Sequence, residues 1–173
     1  TTLAREYAIA EGVSFVETSA TETFKRLGKR PDQHYSFGDR LSIQLEILQD
    51  ASDLWETEFG NHFISDRTPI DMIAYTLADV NNSTELTPDE IELAATYMDA
   101  CFESSNRHFS CLILVQPGIK IVEAEGKASS NPLYIEHLNQ TMMGLLMDSR
   151  NKAHGCYIPR HKLDLKERVQ SVQ

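Results

Sequence analysis

The chain has few cysteines: Cys101, Cys111 and Cys156, three in 173 residues. They are far apart in the sequence and each lies in an apolar run. They therefore read as reduced core residues of a cytoplasmic protein, not as a disulfide framework or a zinc site. No apolar run approaches the roughly 18 residues that a membrane span requires, so no membrane partner is expected. No secretory leader is visible. The six histidines show no metal-ligand spacing. Internal repeats, low-complexity tracts and a nucleophile-elbow motif are all missing, which sets aside solenoids and hydrolases of that design. Basic charge is scarce, with 16 Lys and Arg against 26 Asp and Glu and a net charge of −10. This counts against broad electrostatic binding to nucleic acid, although a local basic groove stays open.

What is present fits one soluble domain. The chain is 41% hydrophobic and 24% charged, ordinary values for a globular protein of this length. Its organising stretch is Ser65-Asp66-Arg67-Thr68-Pro69-Ile70-Asp71. Asn61–Ile64 before it reads as a short buried strand, and Ile70, Ile73, Ala74 and Leu77 after it recur at helical spacing. Thr68 suits an N-cap, Pro69 the first helical position, and Asp71 falls three residues after the cap. An acid and a guanidinium thus sit where a strand ends and a helix begins, the edge at which ligands bind in open α/β sheets. The structural alternative is a surface Asp66–Arg67 ion pair, with Asp71 as a simple cap.

Further elements follow the same logic. Val13–Val16 reads as a strand leading to Glu17 and a helix over 20–27, closed by Gly28. Lys29–Tyr35 is a proline-marked loop. A long helix over 37–59 places Leu41, Leu45, Leu48 and Trp55 on one stripe. Gln44 beside it can read a nucleobase edge, because an amide both donates and accepts. Thr87-Pro88-Asp89-Glu90 starts another helix, whose apolar face is Ile91, Ala94, Ala95, Met98 and Cys101 or Phe102. Phe109–Val115 is the clearest strand, a continuous apolar run of the kind found in buried parallel sheets. Residues 118–131 read as a mobile segment. A methionine-rich helix over 133–147 has a core-filling stripe. Gly155–Pro159 is the last strand, and Asp164 caps a terminal helix. Strands alternating with helices give an α/β class: a parallel sheet with helices on both faces, as a three-layer sandwich.

The strand ending in Asp66-Arg67-Thr68, followed by a helix carrying Asp71 and Ala74-Tyr75, resembles the P-loop nucleoside and nucleotide kinases. Within these it resembles the AAA-type ATPase/kinase group that includes ribosylnicotinamide kinase domains and phage kinases. Thr1-Thr2-Leu3-Ala4 is similar to the tail of their phosphate loop, which runs straight into a helix. The first strand and the loop glycines do not stand before Thr1. The resemblance thus leaves two expectations: that they belong to a longer protein, or that the phosphate loop is lacking.

On this resemblance residues 1–173 form a single kinase-like domain, with 118–131 as its lid. It implies ATP-dependent phosphoryl transfer to a nucleoside, nucleotide or related hydroxyl, with ATP and Mg²⁺ as cofactors. Asp66, Arg67 and Glu17 would be catalytic. Thr1, Thr2, Lys120, Lys127 and Arg160 would hold ATP and its phosphates. Gln44, Asp71 and Tyr75 would bind substrate, and Thr1 and Asp66 would ligate Mg²⁺. The family often has Thr-Ala-Arg near Glu17, where this chain has Ser19-Ala20-Thr21, and an arginine where Lys127 stands. As a point charge, Lys127 lacks the bidentate fork. The implied partner is a small molecule, with a homodimer left open. Two other readings stay open: a kinase acting on a modified base in DNA, and a non-catalytic nucleotide-binding or interaction domain.

Overall fold

Helices and strands alternate through the computed structural model, which describes residues 1–81, 85–119 and 131–172. In chain order they are α1 (Thr2–Glu11), β1 (Ser14–Val16), α2 (Ala20–Arg26), α3 (Phe37–Thr57), β2 (Phe63–Ser65), α4 (Pro69–Asn81), α5 (Pro88–His108), β3 (Cys111–Val115), α6 (Pro132–Leu146), β4 (His154–Ile158) and α7 (Leu165–Gln170). Polar caps set the helix starts. Ser19, Ser36, Asn131 and Asp164 each accept a backbone N–H of the first turn. Thr87 and Glu90 complete a reciprocal capping box at α5. Helix α1 stops where Gly12 enters the left-handed region at φ 67°, a conformation cheap only for glycine. No helix among the described residues is long and apolar enough to cross a membrane.

The strands pair as two parallel ribbons. β1 lies beside β2 with Phe15 opposite Ile64, and β3 beside β4 with Ile113 opposite Cys156. The class is mixed α/β, as expected, but the described strands form two two-stranded sheets and not one. The reason lies at the inner edges. A cavity of about 310 Å³ is lined by the consecutive residues Phe63–Thr68 and Cys111–Val115. Neighbouring residues of a strand point to opposite faces, so a wall of consecutive residues is a backbone edge. The edges of β2 and β3 that are not engaged by β1 and β4 therefore both border this slot.

The core gathers on α3, α4 and α5. Leu41, Leu48 and Trp55 are buried on one stripe of α3, and Ile70, Ile73 and Ala74 on α4. Trp55 is fully buried, with its ring 5.0 Å from Phe109 in an edge-on arrangement. Three expectations need correction. On α5, Cys101 and Phe102 are buried and Ala94 and Met98 pack on the core as expected, but Tyr97 and Ser105 are buried beside them and Ile91 is 55% exposed. On the methionine-rich helix, Met142 packs on the core but Met147, its C-cap, is 83% exposed. Of the cysteines only Cys101 is buried. Cys111 is exposed, Cys156 is half-buried, and the parallel pairing of β3 and β4 brings their thiols into contact.

Glu56 ties the end of α3 to α5. It accepts Arg107 at 2.6 and 3.0 Å and His108 Nε2 at 3.0 Å. The Arg107 hydrogen bonds first, and His108 second, pull its carboxyl from an ordinary 4.5 down to about 2. A depressed carboxyl stabilises the fold above its unfolded pKa and loses that contribution as pH falls through the folded one. The melting temperature is expected to decline between pH 4.5 and about 2. Glu56→Gln is expected to flatten that part of the profile, modestly because the pair is exposed to solvent. Calorimetric scans of both proteins across this range check it.

Candidate functional site

Strand β2 ends at Ser65, and the next residue meets the head of α1. The Thr1 hydroxyl donates to Asp66 Oδ2, across 65 positions of sequence, and the Thr1 backbone nitrogen lies 3.5 Å from the same oxygen. Thr1 is the N-cap of α1 by position, yet its side chain makes no capping hydrogen bond. The Asp66 side chain is only 8% exposed. Its second oxygen, Oδ1, is buried and has no hydrogen-bond partner among the described residues. Ser65 fixes the turn from behind. Its hydroxyl oxygen accepts Trp55 Nε1 at 3.1 Å and the Arg67 backbone N–H at 3.4 Å.

Arg67 turns away from Asp66 and toward α4. Its Nη1 donates to Asp71 Oδ2 at 3.1 Å and to the Tyr75 hydroxyl at 3.3 Å, and the guanidinium lies 5.6 Å from the Tyr75 ring centre. The charge of Asp71 is the main cause raising the Arg67 pKa, against a smaller opposing effect of burial. Asp71 also accepts the Thr68 backbone N–H at 2.7 Å and the Thr68 hydroxyl at 3.2 Å. Asp71 therefore caps its helix and holds Arg67 at once. The Asp66–Arg67 surface pair of the structural alternative does not form: Asp66 goes to Thr1, and Arg67 to Asp71.

Thr1, Asp66, Arg67 and Asp71 share the walls of the slot between β2 and β3. The other expected site residues lie outside that wall. Glu17, just past β1, is exposed and holds Arg5 at 2.6 Å. Arg160, just past β4, pairs with Glu136 of α6 at 3.2 Å. Thr2 is the exposed first residue of α1, and Gln44 and Tyr75 are half-buried on α3 and α4. Lys120, Lys127 and most of the lid segment 118–131 lie outside the described residues.

Two residues gain a role that the sequence did not disclose. Ser65 orients the Asp66 turn, and its only sequence signal was its place directly before the acid. Gly118 lies so close to the loop after β4 that a Cβ would fall 1.9 Å from the Arg160 carbonyl oxygen. Only glycine fits there, so the loops leaving β3 and β4 cross in direct backbone contact.

The residues present fit a hard divalent cation. No group of three or more His, Cys, Asp or Glu able to hold a metal occurs among the described residues. Mg²⁺ needs no such cage, since it keeps several waters and takes one or two protein oxygens together with substrate phosphates. The Thr1 hydroxyl, the buried Asp66 carboxylate and the unpartnered Oδ1 supply that chemistry. No family model matches this chain, and neither a curated protein nor a solved structure matches it.

Proposed function

We propose that the protein is a phosphotransferase, moving the γ-phosphoryl group of ATP to a nucleoside, a nucleotide or a related small hydroxyl compound. The observation that carries this reading is the convergence of Thr1 and Asp66. One precedes a helix and the other follows a parallel strand, and they meet through Asp66 Oδ2 while Oδ1 has no partner among the described residues. Mg²⁺, when bound, would neutralise charge on the transferred phosphates. Thr1 and Asp66 would hold it. The N-terminal turn of α1 presents backbone N–H groups and the positive end of a helix dipole to a phosphate. Arg67, already held by Asp71 and Tyr75, offers its remaining donors to the acceptor or the transferred group. Most of the rate enhancement would come from positioning and charge stabilisation.

The slot supports the same reading. Two parallel ribbons with facing free edges fit one further parallel strand between them, which would join them into a single five-stranded, three-layer sheet. Such a strand would finish at the edge where Thr1 stands, so its following loop would lead directly into α1. In a chain extended at its N-terminus, the backbone amides of β2 and β3 are expected to exchange with solvent more slowly than in residues 1–173 alone. Hydrogen-exchange mass spectrometry of the two chains checks this; equal exchange would count against the strand. The exposed Cys111 and the free thiols generally suit a reducing, cytoplasmic setting.

The direct test incubates the full-length protein with γ-labelled ATP, Mg²⁺ and a panel of nucleosides and nucleotides. Label moving to one acceptor class, and stopping on removal of Mg²⁺, is the expected result. A folded protein that labels no member of the panel overturns the reading.

A further inference from the structure

Strands β3 and β4 carry Cys111 and Cys156. Cys111 stands opposite His154, and Ile113 opposite Cys156. Paired residues, and residues two apart along a strand, share one face of a sheet. Cys111, His154, Cys156 and Ile158 therefore lie on a common face of the ribbon. The other face meets α6, where a Cβ on Gly155 would touch the Leu146 side chain at 3.4 Å. Along the cysteine face of β4, cover grows with the chain: His154 is exposed, Cys156 half-buried and Ile158 buried. The two thiols thus sit at the open end of that face, where Cys111 also borders the slot between the ribbons.

The thiols are in contact. Burial first, and then the neighbouring Cys156, raises the pKa of Cys111. A protonated thiol is a weak nucleophile, so the pair is poorly suited to attack an oxidant. Its spacing also disfavours a disulfide. Neighbouring strands lie about 4.8 Å apart and a residue advances about 3.3 Å, so an offset of two residues separates the Cα atoms by about 8 Å. Disulfides need Cα atoms within about 7 Å, and a bond here would have to move the backbone. An ion held between the sulfurs needs no such movement.

The ligand set selects the ion. The imidazole of His154, although on the same face, does not complete a group of three metal ligands among the described residues. Structural zinc and iron–sulfur centres take four ligands. Hard cations take oxygen. Thiolates favour soft ions, and monovalent copper, with its filled d shell, forms stable complexes with two of them.

We infer that Cys111 and Cys156 form a two-thiolate site for Cu(I), which bridges β3 to β4. Binding makes two copper–sulfur bonds and releases one proton from each thiol, with no change of oxidation state. Neither cysteine contacts the Thr1–Asp66 pair, so this site and the phosphotransferase reading can fail separately.

The test is anaerobic titration of the reduced full-length protein with Cu(I), in competition with a coloured Cu(I) chelator, and native mass spectrometry of the product. One copper per chain is expected, with the mass showing two protons displaced. Cys111→Ser and Cys156→Ser should each weaken binding by more than about a hundredfold, because even groups behind a metal ligand are worth about ten- to a hundredfold. These cysteines are exposed and half-buried, so both variants should keep the fold, which circular dichroism verifies. His154→Ala should stay within about twofold of wild type, as for an ordinary surface change. Copper should raise the melting temperature of the wild type and not of the cysteine variants. Binding that survives either cysteine change, collapses in His154→Ala, is matched by Zn(II) or requires one ion shared between two chains would overturn the proposal. So would a Cys111–Cys156 disulfide that forms readily in the folded protein under mild oxidation.

Discussion

Asp66→Asn is expected to lower kcat for phosphoryl transfer by roughly two to three orders of magnitude, the cost of removing one well-placed electrostatic group. The side chain is isosteric, and its surroundings are already tight at 8% exposure, so the fold should persist. What changes is charge. The carboxylate offers one oxygen to the Thr1 hydroxyl and keeps the other buried and unpartnered. An amide turns an N–H₂ donor into one of those two places. It would then face either a hydroxyl that is itself donating or the position proposed for a cation. Activity measured against Mg²⁺ concentration separates the effects. Weaker cation binding moves the half-saturating concentration upward, whereas lost orientation of the reacting groups lowers the plateau. Thr1→Ser keeps the hydroxyl and should stay close to wild type, while Thr1→Ala should share the defect. Full activity in folded Asp66→Asn would remove this acid from the chemistry.

Local elements were legible in the sequence where short-range chemistry decides them. The Thr87–Glu90 capping box and the Asp164 cap both appear where the sequence placed them. Strand starts were less legible. Phe109 was read into β3, but it is the extended C-cap of α5, because its ring is drawn against Trp55 and Phe63. The α5 face was legible in part. Ala94, Met98, Cys101 and Phe102 face the core as their spacing indicates, with Tyr97 and Ser105 buried beside them, while the exposure of Ile91 depends on where the neighbouring elements lie. Strand partners were not legible at all. An apolar run announces a parallel strand without naming its neighbour, so two ribbons bordering a slot could not be foreseen. At the site, the Asp71 cap followed from spacing. The Thr1–Asp66 contact followed only from the family resemblance.

Trp55→Ala is expected to destabilise the protein by about 3–5 kcal/mol, the usual range for deleting a buried aromatic side chain. Domains of this kind are stable by only about 5–15 kcal/mol, so the variant should sit near its unfolding threshold. Trp55 is fully buried, packs edge-on against Phe109 and lies 5.8 Å from the His108 ring. It also carries a polar duty that size alone would not predict, donating its indole N–H to Ser65 Oγ. That hydroxyl oxygen in turn receives the Arg67 backbone N–H. The tryptophan therefore connects the core to the turn that aims Asp66. Trp55→Phe separates the two roles: most of the buried ring remains and the hydrogen bond does not. Urea denaturation should show a smaller loss for Trp55→Phe than for Trp55→Ala. Transfer activity of Trp55→Phe should nonetheless fall, because Ser65 is free to rotate and the backbone between β2 and α4 loses its anchor. If Trp55→Phe keeps full activity at reduced stability, the indole serves packing alone, and the Asp66 turn is held by β2 and the Asp71–Thr68 cap.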